Sequence, residues 1–146
     1  MSLSSACIEK KEGFATKAPK YYLSVFGDPK PPDKDTIESG IYHPNLKFAP
    51  FPTEPGDFLL LYCTAGYSEH SMKVPGIGVV LETTNTEIHY RYLLLTKTIS
   101  KHELDDKLDP TDKKKLSNIR FSSHWLFEIS RQSFLNAVAD RGVSWL

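Results

Sequence analysis

The amino-acid sequence predicts an α+β domain of five to six mostly antiparallel strands that curl toward a barrel, with short flanking helices. Three observations carry this. Strand-forming runs precede helix-forming ones along most of the chain, and strands grouped apart from helices define the α+β class. Seven Tyr and eight Phe enrich the chain in residues that fit a pleated, half-buried surface. The strand runs are short and separated by Pro and Gly, and a strand set of this size closes on itself to remove exposed edges.

Each element follows in order. Residues 1–20 are polar and Lys-rich (Lys10, Lys11, Lys17), which predicts a flexible tail and leaves 21–146 as the domain. Tyr21–Phe26 (YYLSVF) is the first strand, stopped by Gly27-Asp28-Pro29. Seven of the ten prolines fall in residues 27–55: Pro29, Pro31, Pro32, Pro44, Pro50, Pro52 and Pro55. Tyr42, His43, Phe48 and Phe51 share that stretch. A disordered linker rarely carries so many aromatics, so an ordered loop wrapped over the domain is expected.

The Pro55-Gly56-Asp57 turn launches Phe58–Thr64 (FLLLYCT), an apolar run that fits a central strand buried on both faces. Residues 66–74 form a polar loop. Pro75-Gly76 opens Ile77–Glu82, where Gly76 and Gly78 suggest a bulge or a barrel corner. Ile88–Thr96 is the next strand. Ser100 and Glu103 have capping-box spacing, and Asp109-Pro110 pairs an N-cap with a first-turn Pro. Phe121–Ile129 is the last strand. Ser130 caps a final helix through Ala139, with Gly142 placed for a left-handed stop.

A chain of 146 residues is one domain in size and needs no disulfide or metal to fold. Lys and Arg total 18, as do Asp and Glu. That balance argues against a protein gripping a long duplex through many phosphates, while a partner touched at few phosphates remains compatible. Cys7 and Cys63 have neither disulfide nor zinc-ligand spacing and read as free thiols of a reducing compartment. No apolar stretch is long enough to cross a membrane, and the first 20 residues lack the apolar core of a signal peptide. The expected location is cytoplasmic, with no membrane partner.

The succession YYLSVF, PGDFLLLYCTAG, PGIGVVLET and YRYLLLT resembles the EVE domain, a branch of the PUA-like superfamily. HWLFEISRQSFLNAVA resembles that family's closing strand and following helix, so the similarity spans roughly residues 21–140. The chain departs from the family pattern in the first strand, which begins Tyr21-Tyr22 and ends Val25-Phe26 where the family has Trp and Lys-Ser. It also lacks the family's Arg-Asn motif in the long loop. The resemblance implies a PUA-like pseudo-barrel with a pocket at one mouth that holds a flipped or modified base between aromatic walls. An extruded base needs a π-face to stack on and polar groups for its edge. The implied partner is DNA or RNA containing a modified base. A separate effector protein is allowed as a further partner.

Candidate ligand-binding residues follow. Phe26 and Asp28 stand where the family's first strand reaches its pocket; the plain alternative is a core Phe and a turn Asp. Tyr62, Thr64 and Gly66 end the central strand, with Tyr62 and Thr64 sharing a face by alternation; the alternative is an internally bonded barrel Tyr. Phe48 and Phe51 either wall a pocket or plug the barrel end. Ser123 and Trp125, flanking His124, offer a hydroxyl and a stacking surface, against half-buried packing of the Trp. Arg91 and Arg120 are candidate phosphate contacts; Lys113-Lys114-Lys115 reads as a solvated face.

No catalytic set is legible, and no cofactor is expected. Cys63 lies in an apolar strand, which predicts a buried, inert thiol. The histidines at 43, 70, 89, 102 and 124 show no metal-ligand spacing, and Glu69-His70 lacks the second His of a zinc-hydrolase helix. Asp105, Asp106, Asp109 and Asp112 read as caps and solvated surface. The expected function is a non-catalytic nucleic-acid-binding module. One alternative is a nuclease or hydrolase on the same fold, which requires His124 or His70 beside two carboxylates in a cleft. The other is a protein-interaction module, which requires a large exposed apolar patch.

Overall fold

The computed structural model describes residues 18–27, 35–118, 124–139 and 141. Six strands form one mixed sheet: β1 (Tyr21–Phe26), β2 (Ile41–Tyr42), β3 (Phe58–Cys63), β4 (Lys73–Thr83), β5 (Ile88–Ser100) and β6 (Leu126–Ile129). Their order across the sheet is β2-β5-β4-β3-β1-β6. β1 and β3 run parallel, and the other neighbours run antiparallel. The sheet curls into a half-barrel flanked by α1 (Lys101–Lys107), α2 (Pro110–Ser117) and α3 (Arg131–Val138). This is the α+β pseudo-barrel that the sequence predicts.

Alternation divides β1 between two cores. Tyr21, Leu23 and Val25 face the helices, packing with Leu104, Leu116, Phe134 and Val138. Tyr22 and Phe26 face the barrel interior, with Leu59, Leu61, Tyr90 and Tyr42. Every residue of β1 is buried, and so is all of β3 after Phe58, because both faces of the central sheet are covered.

β4 begins at Lys73, four residues before the expected start. Its pairing to β5 slips between Val74 and Gly76, so Pro75 sits in a bulge where no ladder donor is required. The bulge ends at Gly76, one of the two expected causes, and both glycines also lie against tyrosine rings. A Cβ on Gly76 would lie 2.5 Å from Tyr92 Cε1, and one on Gly78 would lie 2.7 Å from Tyr90 Cδ2. The glycines leave room for tyrosine rings that lean diagonally from β5.

β5 runs to Ser100 and passes directly into α1 through a complete capping box, in which the Ser100 hydroxyl accepts from Glu103 N. Asp109 caps α2 and Ser130 caps α3, both as expected. Asp112 differs from expectation. It is buried, and its Oδ2 accepts from Ser130 N and from Ser133 Oγ, each at 2.8 Å. It joins α2 to the start of α3, a role that helical spacing alone does not reveal. The last strand begins at Leu126; residues 121–123 and Gly142 lie outside the described residues, as does the tail through residue 17.

Candidate functional site

The long loop reaches the start of β6 and closes the open side of the half-barrel. Two 3-10 turns, Ile37–Ser39 and Leu46–Phe48, flank the short β2 and hold its approach. The Tyr42 hydroxyl, fully buried, lies 2.7 Å from Trp125 O and 2.8 Å from Val25 O, and it accepts from Val25 N at 3.1 Å. Burial pushes this hydroxyl well above its usual pKa, so it stays a donor. Asn45 N donates to His124 O at 2.8 Å, and His124 N donates to Val25 O at 2.7 Å. His124 Nδ1 donates to His43 O at 2.9 Å. These bonds hold His124 at φ +63°, a left-handed conformation uncommon for residues other than glycine.

Beside this seam lies a chain of carboxylate and imidazole groups from three segments. Asp35, buried, accepts from His43 N at 2.6 Å and from His43 Nδ1 at 2.7 Å. His43 Nε2 lies 3.1 Å from Glu87 Oε2, and His89 Nε2 lies 2.7 Å from Glu87 Oε1. Burial opposes charging of the His43 ring, but the bonds and charges of Asp35 and then Glu87 outweigh it and raise its pKa. Both ring nitrogens lie against carboxylates, which favours the protonated ring, and these contacts pin the loop to the residue before β5. Neither nitrogen is left to act as a general base.

Above the same seam the aromatic surface opens. Phe48 and Trp125 approach with ring centroids 5.5 Å apart, tilted by 58°. Lys47 Nζ stands 4.5 Å from the Trp125 ring centroid and 5.3 Å from that of Phe48, within cation–π range. Both rings are half-buried. Tyr42 continues the cluster inward, 4.6 Å from Phe26 and stacked on His124 at 6.0 Å.

Phe48 and Trp125 are therefore the sequence-derived candidates that come together at an accessible surface. Phe26 is fully enclosed in the barrel interior, behind Tyr42. Phe51 lies beyond Phe48 and lines a cleft of about 460 Å³ with Pro50, Thr53, Thr83 and Asn85. Tyr62 points to the opposite face of the sheet, into the helix-side core, and its hydroxyl donates to Met72 Sδ at 3.4 Å. Thr64 is buried, with its N–H bonded to Phe26 O at 2.9 Å, and Gly66 is exposed just after it. Arg91 is exposed on β5. Asp28, Ser123 and Arg120 lie outside the described residues.

Lys113 and Lys114 are exposed, and Lys115 donates to Glu128 O at 2.8 Å. Cys63 is buried, and burial, aided by Glu38 and Glu69, raises its thiol pKa far above the reactive range. Lys47, Asp35, His43 and Glu87 escape sequence reasoning. Their one local signal is the aromatic content of the loop, because their partners lie far along the chain.

No protein-family model and no curated protein matches the chain. Among solved structures, the fold is similar to the NMR structure of Rpa0253 from Rhodopseudomonas palustris, a structural genomics target. The TM-score is 0.58 at 12% identity, covering 85% of this chain and 94% of that one. At that identity the likeness concerns the fold.

Proposed function

We propose that this chain is a non-catalytic nucleic-acid-binding module that holds a single base, with a modified base as the expected ligand, against Trp125 and Phe48. The proposal places it in the EVE branch of the PUA-like superfamily on the strength of its sequence motifs. The observation that supports it best is the Phe48–Trp125 pair with Lys47 Nζ 4.5 Å from the Trp125 ring centroid. A nucleotide needs a stacking face and a cation for its phosphate, and these three side chains offer both. A stacked base would take the ring face while the flexible ammonium moves to the phosphate. The partner is DNA or RNA, and a separate effector protein fits a module without its own chemistry.

The test is fluorescence anisotropy at low salt with short single- and double-stranded oligonucleotides, plain and carrying methylated or hydroxymethylated bases. A preference for one modified base is expected. Trp125→Ala and Phe48→Ala should each weaken binding by roughly 5- to 150-fold, the equivalent of one stacked base at about 1–3 kcal/mol. Lys47→Ala should lower the salt slope by about one. No binding across the panel, or unchanged binding in both aromatic variants, overturns the reading.

A second reading, an enzyme cleaving nucleic acid on the same fold, draws on His70 standing beside Glu38 and Glu69. Cleavage of plain oligonucleotides that disappears in His70→Ala would favour it over the binding module.

A further inference from the structure

We propose that Glu38, Glu69 and His70 form a binding site for a divalent transition-metal ion, with Zn2+ the ion their chemistry favours. The residues come from two 3-10 turns, Ile37–Ser39 and Ser68–His70. His70 Nε2 lies 3.8 Å from Glu38 Oε2 and 3.6 Å from Glu69 Oε1. One ligand atom from each residue falls within 4.8 Å of the other two.

At 3.6 Å and beyond these contacts are not hydrogen bonds. Ligands held tetrahedrally at about 2.0–2.1 Å from zinc sit roughly 3.3 Å from one another, so each His–Glu edge needs to contract by about half an ångström at most. Among the described residues no Lys or Arg pairs with either carboxylate, which leaves two negative charges facing one imidazole.

The site is organised before any ion arrives. The His70 ring stacks on Tyr67 at 5.8 Å, and the Tyr67 hydroxyl accepts from Ile37 N at 3.3 Å, so one turn is tied to the other.

One imidazole and two carboxylates select against Mg2+ and Ca2+, which prefer all-oxygen sets, and suit Zn2+ with open positions for water. The inference is independent of the base-binding reading, since the two sites share no residue.

The experiment is calorimetric titration of Zn2+ into the full chain, alongside His70→Ala, Glu38→Gln and Glu87→Gln. The last variant dismantles the His43–Glu87–His89 cluster and controls for zinc bound there. Zinc binding is expected in the unaltered protein and in Glu87→Gln, and should weaken by roughly tenfold or more in the other two, with circular dichroism unchanged. A metal-induced shift of the His70 ring protons by NMR should accompany it. No Zn2+ binding, or the affinity of the unaltered protein in both His70→Ala and Glu38→Gln, overturns the proposal.

Discussion

The Tyr42 hydroxyl lies 2.7 Å from the carbonyl oxygen of Trp125, 83 residues further along the chain. It joins β2 to the start of β6, the two ends of a sheet whose edges do not pair with each other. The seam of the half-barrel and the floor of the aromatic surface are thus one hydrogen-bonded junction. Tyr42→Phe keeps the ring and removes the oxygen, while Val25 N keeps its bond to Trp125 O at 3.0 Å and Val25 O keeps that from His124 N at 2.7 Å. No backbone group is orphaned, so a loss of about 0.5–1.5 kcal/mol is expected in urea unfolding, with the slope unchanged. Any ligand bound at Trp125 should weaken in the same variant, because the Trp125 carbonyl loses one of its two bonds.

The raised pKa of His43 makes stability depend on pH. Its folded pKa is raised above the ordinary 6.5, so its contribution is fully present below 6.5 and disappears as pH climbs through the raised value. Glu87 is lowered from 4.5, first by its bond to His89 and then by that to His43; its contribution is present above 4.5 and is lost as pH falls through the lowered value. Both act together between 4.5 and 6.5. Thermal unfolding followed across pH should show a plateau there and a decline above it, and His43→Gln should flatten the alkaline decline.

Asp112 illustrates a buried carboxylate whose bonds exceed its capping role. Its Oδ2 serves Ser130 N and Ser133 Oγ, and Ser133 Oγ in turn accepts from Asp109 N at 2.9 Å. Asp112→Ala leaves Ser130 N without its partner and the Ser133 hydroxyl with Ser130 Oγ alone at 3.1 Å as acceptor, which costs about 1–3 kcal/mol for the group left unsatisfied. A loss of stability of that size in guanidinium unfolding is expected, with Asp112→Asn intermediate because its amide oxygen still accepts.

These residues show where sequence reasoning reaches and where it stops. β1, β3, the capping box at Ser100 and the caps at Asp109 and Ser130 are written in neighbouring residues, so they were legible. The fold class followed from their order. Strand limits were less so: Pro75 reads as a strand breaker until the bulge at Val74–Gly76 accommodates it. The site was legible only as a set of aromatics. Phe48 and Trp125 were both candidates, but nothing local says that they meet, and Tyr62 shares their chemistry while facing the opposite core. Contacts such as Asp35–His43–Glu87 and Glu38–His70 depend on how far the sheet curls, which no window of sequence records.

Gly76 offers a steric test of that curl. A methyl group there would sit 2.5 Å from Tyr92 Cε1 and 2.6 Å from the Leu93 carbonyl oxygen. The ring can swing aside, but the carbonyl belongs to β5 in the β4–β5 ladder and cannot yield without opening the sheet. Gly76→Ala should therefore destabilise the protein by about 1–3 kcal/mol in urea unfolding, the range for overpacking a filled core. Adding Tyr92→Ala removes one obstacle and leaves the other, so the double variant should not recover the stability of Tyr92→Ala alone. Full recovery would mean that the ring, rather than the strand backbone, sets the close approach of β4 and β5 at this point.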